Sequence, residues 1–132
     1  MRSLILSSLL IITFVFFITN GCFLEENQKP DPYAWDFGSV KEGTLLKHVF
    51  ILRNESKTTL VINKLQTSCG CTASTASHNE IPQGQASKVE VSFNTKGYSG
   101  KVKQFVYVHT NDSGKPIIKL TVSAEIMKKG GS

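Results

Sequence analysis

"KVEVSFN", residues 88–94, decides the fold class. Val89, Val91 and Phe93 occupy every second position, with Lys88, Glu90 and Ser92 between them. Successive side chains of a strand point to opposite faces, so this spacing predicts a half-buried strand with one wet face. The same alternation recurs on both sides of it. "HVFILRN" (48–54) sets Phe50 and Leu52 against Val49 and Ile51, and "KQFVYVHT" (103–110) sets Val106 and Val108 against Phe105 and Tyr107. "IIKLTVSAE" (117–125) sets Ile118, Leu120, Val122 and Ala124 against Lys119, Thr121 and Ser123. No window carries a helical stripe.

Turn chemistry separates these runs: "NESKT" (54–58), "IPQGQ" (81–85), "NTKGYSGK" (94–101) and "NDSGKP" (111–116). About seven short strands with such punctuation predict an all-β protein, an antiparallel immunoglobulin-like β-sandwich over residues 33–127. A small closed barrel is the alternative. Gly97 and Gly100 flank Tyr98 in a loop that calls for positive backbone φ, and Asn111 and Asp112 suit an Asx turn. Trp35 and Phe37, alternating around Asp36, are expected to cover one end of the core, with Gly38 letting the chain turn. Residues 128–132 read as a flexible tail.

Upstream, residues 1–21 carry Arg2, an uncharged run over 4–18 and then small or polar residues ending in Gly21. That three-part layout predicts a signal peptide, whereas a membrane span needs about 20 apolar residues. Cys22 directly after Gly21 resembles the lipobox of bacterial lipoproteins, with Thr19 standing where that pattern usually has an aliphatic residue. The resemblance implies acylation of Cys22. Several acyl chains hold a protein on a membrane surface without a crossing helix. Residues 22–32, with Glu25, Glu26, Pro30 and Pro32, then read as a lipid-anchored tether. The expected location is the bacterial cell envelope, facing the periplasm or the exterior.

The formal charge is +5, and removal of Arg2 with the signal leaves +4 (5 − 1). Lys96, Lys101, Lys103, Lys115, Lys119, Lys128 and Lys129 supply most of it. Export separates this charge from nucleic acid, so it reads as a solvated face with weak attraction to anionic headgroups. No nucleophile elbow, phosphate-cradling glycine loop or oriented histidine appears, so no enzyme activity is predicted.

"WDFGSVKEG", "HVFILRN", "SCGCT", "IPQGQA", "FNTKGYSGK" and "HTND" stand in the order seen in the bacterial family called domain of unknown function 1573. The chain resembles that family over roughly residues 35–124. The resemblance implies an immunoglobulin-like sandwich in exported, often lipid-anchored proteins, and it makes Ser68, Cys69, Gly70, Cys71 and Thr72 a family signature. It implies no activity.

With Cys22 acylated, two cysteines remain, Cys69 and Cys71. In a regular strand they would lie on one face at or beyond the edge of disulfide reach, so a bond between them requires a bend, which Gly70 permits. Such a tight ring would be more reducible than a structural bridge. Three readings follow. The pair is architecture; it is a redox pair exchanging with a partner; or it binds a soft metal, copper as Cu(I), with His78 in "ASHNE" as the best additional ligand. His48 and His109 fall within strand patterns, where a histidine reads as a wet-face residue. The expected role is a binding or scaffolding module for an envelope protein partner, without a cofactor. A thiol protein handling copper or disulfides through Cys69 and Cys71 is the alternative.

Overall fold

The computed structural model describes residues 29–130. The signal segment, Cys22 and the first part of the tether lie outside them. Eight strands form: β1 (Ala34–Lys41), β2 (Leu45–Arg53), β3 (Leu60–Thr67), β4 (Thr72–Ala76), β5 (Glu80–Ile81), β6 (Ala86–Asn94), β7 (Gly100–Thr110) and β8 (Ile117–Met127). There is no helix among the described residues. The strands make two open sheets, β1-β8-β7-β3-β5 and β2-β6-β4, so the architecture is the sandwich and not the barrel. All pairings are antiparallel except β1 with β8, which run parallel.

The alternating residues face as their spacing predicts. Val89, Val91 and Phe93 are buried on β6, Phe50 and Leu52 on β2, Val106 and Val108 on β7, and Leu120, Val122 and Ala124 on β8. Val49 and Ile51 remain 42% and 48% exposed on the outer face of β2. Each fully buried aliphatic or phenyl side chain contributes about 1.5–3 kcal/mol relative to its exposed state. The core divides along the strands. Phe50, Leu52, Leu60, Ile62, Val106 and Leu120 belong to one cluster, with Tyr33 packed on it. Leu46, Phe93, Ala124 and Ile126 form the other, with Val40, Cys71, Tyr98 and Val102 against it.

Three local features differ from the sequence reading. Gly38 does not end β1 in a turn. At φ 68° it makes a bulge, across which the register with β8 shifts, and its N–H donates to Asp36 Oδ1 at 2.7 Å. Trp35 and Phe37 cover the flank between β1 and β2, the edge strands of the two sheets, and His48 fills that gap from the inward side of β2. Its ring stacks on Trp35 with centroids 4.1 Å apart and meets Phe50 edge-on at 4.6 Å. His48 is therefore not a wet-face residue; its partial burial lowers its pKa from the ordinary 6.5. Asn54, which reads as one residue of a polar turn, is 1% exposed. Its amide donates to Thr58 O and Ile81 O at 2.8 Å each, and its Oδ1 accepts from Ser56 N–H and O–H.

Replacing Asn54 by alanine strips the buried Ile81 carbonyl of its side-chain donor and is expected to cost about 2–3 kcal/mol, whereas Ile51→Thr on the outer face costs under about 0.5 kcal/mol. Urea midpoints of the two variants measure the difference. The lowered pKa of His48 has a definite sign. Below 6.5 the unfolded chain takes up the proton before the folded one, so the stability from neutral His48 is complete above that pH and declines as pH falls toward the folded value. Urea midpoints taken on either side of 6.5 show that decline, and His48→Phe removes part of it.

Candidate functional site

β3 and β4 are consecutive strands in different sheets, and residues 68–71 carry the chain across. Ser68 ends β3 by pairing with β7: its N–H donates to Phe105 O at 2.9 Å and its Oγ accepts from Phe105 N–H at 3.0 Å. The same hydroxyl donates to the buried Gln104 Oε1 at 2.6 Å. The chain then turns. Thr72 N–H donates to Cys69 O at 3.3 Å, Thr67 Oγ1 donates to the same carbonyl at 3.1 Å, and Cys71 O receives Asn94 N–H at 3.0 Å.

Inside this turn Cys69 and Cys71 form a disulfide, with their Cα atoms 5.4 Å apart. The bend that the spacing demands is present, but Gly70 makes it without a positive φ. A Cβ placed on Gly70 would meet no atom within 4 Å beyond its two chain neighbours. Neither backbone conformation nor crowding in the fold calls for glycine there. Gly70 is exposed and both cysteines are half-buried. Cys71 packs on the second core cluster.

A residue that the sequence places only in a turn completes the site. Tyr98 N–H donates to Thr95 O at 3.1 Å, closing a turn in which Gly97 has φ 82°, the position that requires positive φ. Thr95 is fully buried, with its hydroxyl donating to Thr44 O and accepting from Thr44 N–H, so the loop is fastened to the β1–β2 connection. Gly97 N–H also donates to Glu42 Oε1 at 3.1 Å. The anchored loop lays the Tyr98 ring edge-on to Phe93, with centroids 5.3 Å apart, and brings its hydroxyl 3.0 Å from Cys71 Sγ and 3.8 Å from Cys69 Sγ. Thr72 Oγ1 lies 3.6 Å from Cys69 Sγ and 3.7 Å from Cys71 Sγ, and Cys71 N–H donates to Cys69 Sγ at 3.2 Å. Flanking glycines mark Tyr98 in the sequence as a loop residue; its meeting with Cys71 spans 27 residues and has no local signal.

His78 is not brought to the cysteines. It follows the far end of β4, where its backbone bonds the Ser87 hydroxyl, while Cys71 pairs with Asn94. Ser87 and Asn94 are seven steps apart along β6, about 23 Å at strand rise. His109 lies on the outward side of β7, its Nε2 buried without a hydrogen-bond partner. Among the described residues no group of three or more His, Cys, Asp or Glu side chains is placed to hold a metal ion.

The family model for "Protein of unknown function (DUF1573)" matches residues 29–126. The chain belongs to this family. No curated protein matches. Among solved structures, a protein of unknown function from Porphyromonas gingivalis W83 superposes with TM-score 0.63 at 18% identity, over 70% of this chain and 44% of that one. The Vibrio cholerae VesB protease gives TM-score 0.55 at 12% identity, over 70% of this chain and 29% of that one. The ASH/PapD-like domain of human CEP192 gives 0.53 at 13% identity, over 81% of this chain and 95% of the domain. The chain thus spans less than half of the first two proteins, and at these identities the likeness establishes the DUF1573 domain as an immunoglobulin-like sandwich and nothing further.

A bridge closing a ring of about three residues removes little chain entropy, on the order of 1.5 kcal/mol by the loop-closure relation. The double variant Cys69→Ser/Cys71→Ser is therefore expected to fold and to lose no more than about 2 kcal/mol in urea unfolding.

Proposed function

We propose that this DUF1573 domain is an exported thiol protein of the bacterial cell envelope, held at a membrane surface through Cys22, which exchanges its Cys69–Cys71 disulfide with the thiols of an envelope protein. One observation carries this reading: the disulfide ties together two residues of a single turn that hydrogen bonds already hold. A structural staple joins elements that would otherwise separate, and this bond joins none. It lies instead in a half-exposed turn, where an external thiolate has access, and accessible bonds are the exchanging kind. The sandwich serves as the binding scaffold that presents the turn, in keeping with the partner-binding role expected from the sequence. The exchange requires no cofactor, and the domain itself turns over no small-molecule substrate.

Copper binding begins from the reduced pair, so one experiment separates the readings. In a soluble form beginning at Phe23, free thiols are counted after air oxidation and after equilibration with glutathione buffers, and the reduced protein is titrated with Cu(I) against a competing chelator. The expected result is no free thiol in air and two after reduction within the glutathione range. A bond opened only by strong reductant, or two inert free thiols in air, returns the motif to architecture. Tight stoichiometric Cu(I) uptake by the reduced form transfers the function to metal handling.

A further inference from the structure

Resting on the exchange reading, we infer that the disulfide has a fixed polarity: Cys69 is the sulfur attacked by the partner, Cys71 is the leaving sulfur, and Tyr98 is the catalytic hydrogen-bond donor that receives it. The two sulfurs have different surroundings. Cys71 packs on the cluster of Leu46, Phe93, Ala124 and Ile126, with the Tyr98 phenol against it, whereas Cys69 is not part of that cluster. A thiolate must approach along the extension of the S–S axis. Cys71 is the sulfur held against the core cluster and the Tyr98 hydroxyl, whereas Cys69 belongs to neither core cluster, and this difference favours approach to Cys69.

The donors favour the same direction. The Tyr98 hydroxyl is 3.0 Å from Cys71 Sγ but 3.8 Å from Cys69 Sγ. The Cys71 amide favours charge on Cys69 instead, at 3.2 Å, though it is fixed in the turn and serves the second step, when Cys69 is released. A hydrogen bond to a neutral sulfur strengthens as that sulfur becomes anionic, so the phenol stabilises the departing Cys71 thiolate more than the disulfide it starts from. Disulfide exchange is faster when the leaving thiolate is the more stable one.

The partner implied is a dithiol. Its first thiolate attacks Cys69 Sγ; the partner–Cys69 bond forms as the Cys69–Cys71 bond breaks, and the electron pair stays on Cys71 Sγ beneath the Tyr98 O–H. The partner's second thiolate then attacks the partner's own sulfur in the mixed disulfide and releases Cys69 as thiolate. The partner leaves as a disulfide, having given up two electrons, and its two thiol protons, passed through solvent, complete the Cys69 and Cys71 thiols.

The test uses the soluble form beginning at Phe23, which contains every strand, with reduced glutathione as the attacking monothiol and dithiothreitol as the dithiol. Acid-quenched intermediates are alkylated and fragmented between the two cysteines. Glutathione is expected on Cys69 and the alkyl group on Cys71. Tyr98→Phe keeps the ring against Phe93 and is expected to fold with the wild-type urea midpoint, yet to slow reduction by dithiothreitol about tenfold, the effect of losing a hydrogen bond to a charged group. In the reduced protein the same variant slows alkylation of Cys71 at neutral pH and leaves Cys69 unchanged, which a merely structural tyrosine would not do. Glutathione found on Cys71, or a Tyr98→Phe rate within twofold of wild type, overturns the polarity while exchange itself stands. A wild-type bond that neither reagent opens overturns the exchange reading and the polarity with it.

Discussion

The chain has to pass between two sheets that share one core, and at residues 68–71 it does so in four residues. Packed sheets lie about 10 Å apart and an extended residue advances about 3.3 Å, so four residues that also reverse direction leave almost no slack. The backbone groups of such a crossing must find partners within the turn or on the strands beside it. Ser68 bonds to Phe105, Thr72 to Cys69 and Asn94 to Cys71, and each of these bonds fixes part of the route. Once the route is fixed, the two cysteine side chains have little choice of position: one lies at the margin of the core, the other outside it.

The hydrogen bonds holding this crossing use backbone groups and hydroxyls, with the sulfurs contributing only the contacts from Tyr98, Thr72 and the Cys71 amide. Opening the S–S bond therefore leaves the connection between the sheets intact. The route of the chain and the oxidation state of the pair are set by different interactions. That separation suits the exchange proposed above, in which a covalent bond would be broken and remade while the scaffold survives.

Strand faces were legible in the sequence because period-two alternation is a local property: residues such as Val89, Val91 and Phe93 declare their side of the sheet with no knowledge of the partner strand. Pairing was less accessible. Nothing near Ala34 announces that β1 will lie parallel to β8, because that choice is made by distant residues meeting across the finished core. The inward direction of His48 depends on Trp35 arriving from the other sheet, and the burial of Asn54 includes a bond to the distant Ile81 carbonyl beside its local ones to Ser56 and Thr58. The candidate site divides in the same way. Cys69, Gly70 and Cys71 stand out as a motif, and the need for a bend follows from strand geometry. Tyr98 does not, since it reaches the sulfurs only after β6 and its loop have been placed. His78 was near in sequence and distant in space because β4 is extended.

The division of the core into two clusters gives the domain two distinguishable poles. Tyr33, where the chain enters, packs on the cluster of Phe50 and Leu52 and borders a cavity lined by Arg53, Asn54, Asp112 and Lys115. Cys71 and Tyr98 pack on the other cluster. A stalk arriving from a bilayer would thus attach at one pole and the sulfur pair would sit at the other, turned away from the lipid. Under the anchoring proposed above, that orientation would make the domain a spacer that meets proteins standing clear of the membrane.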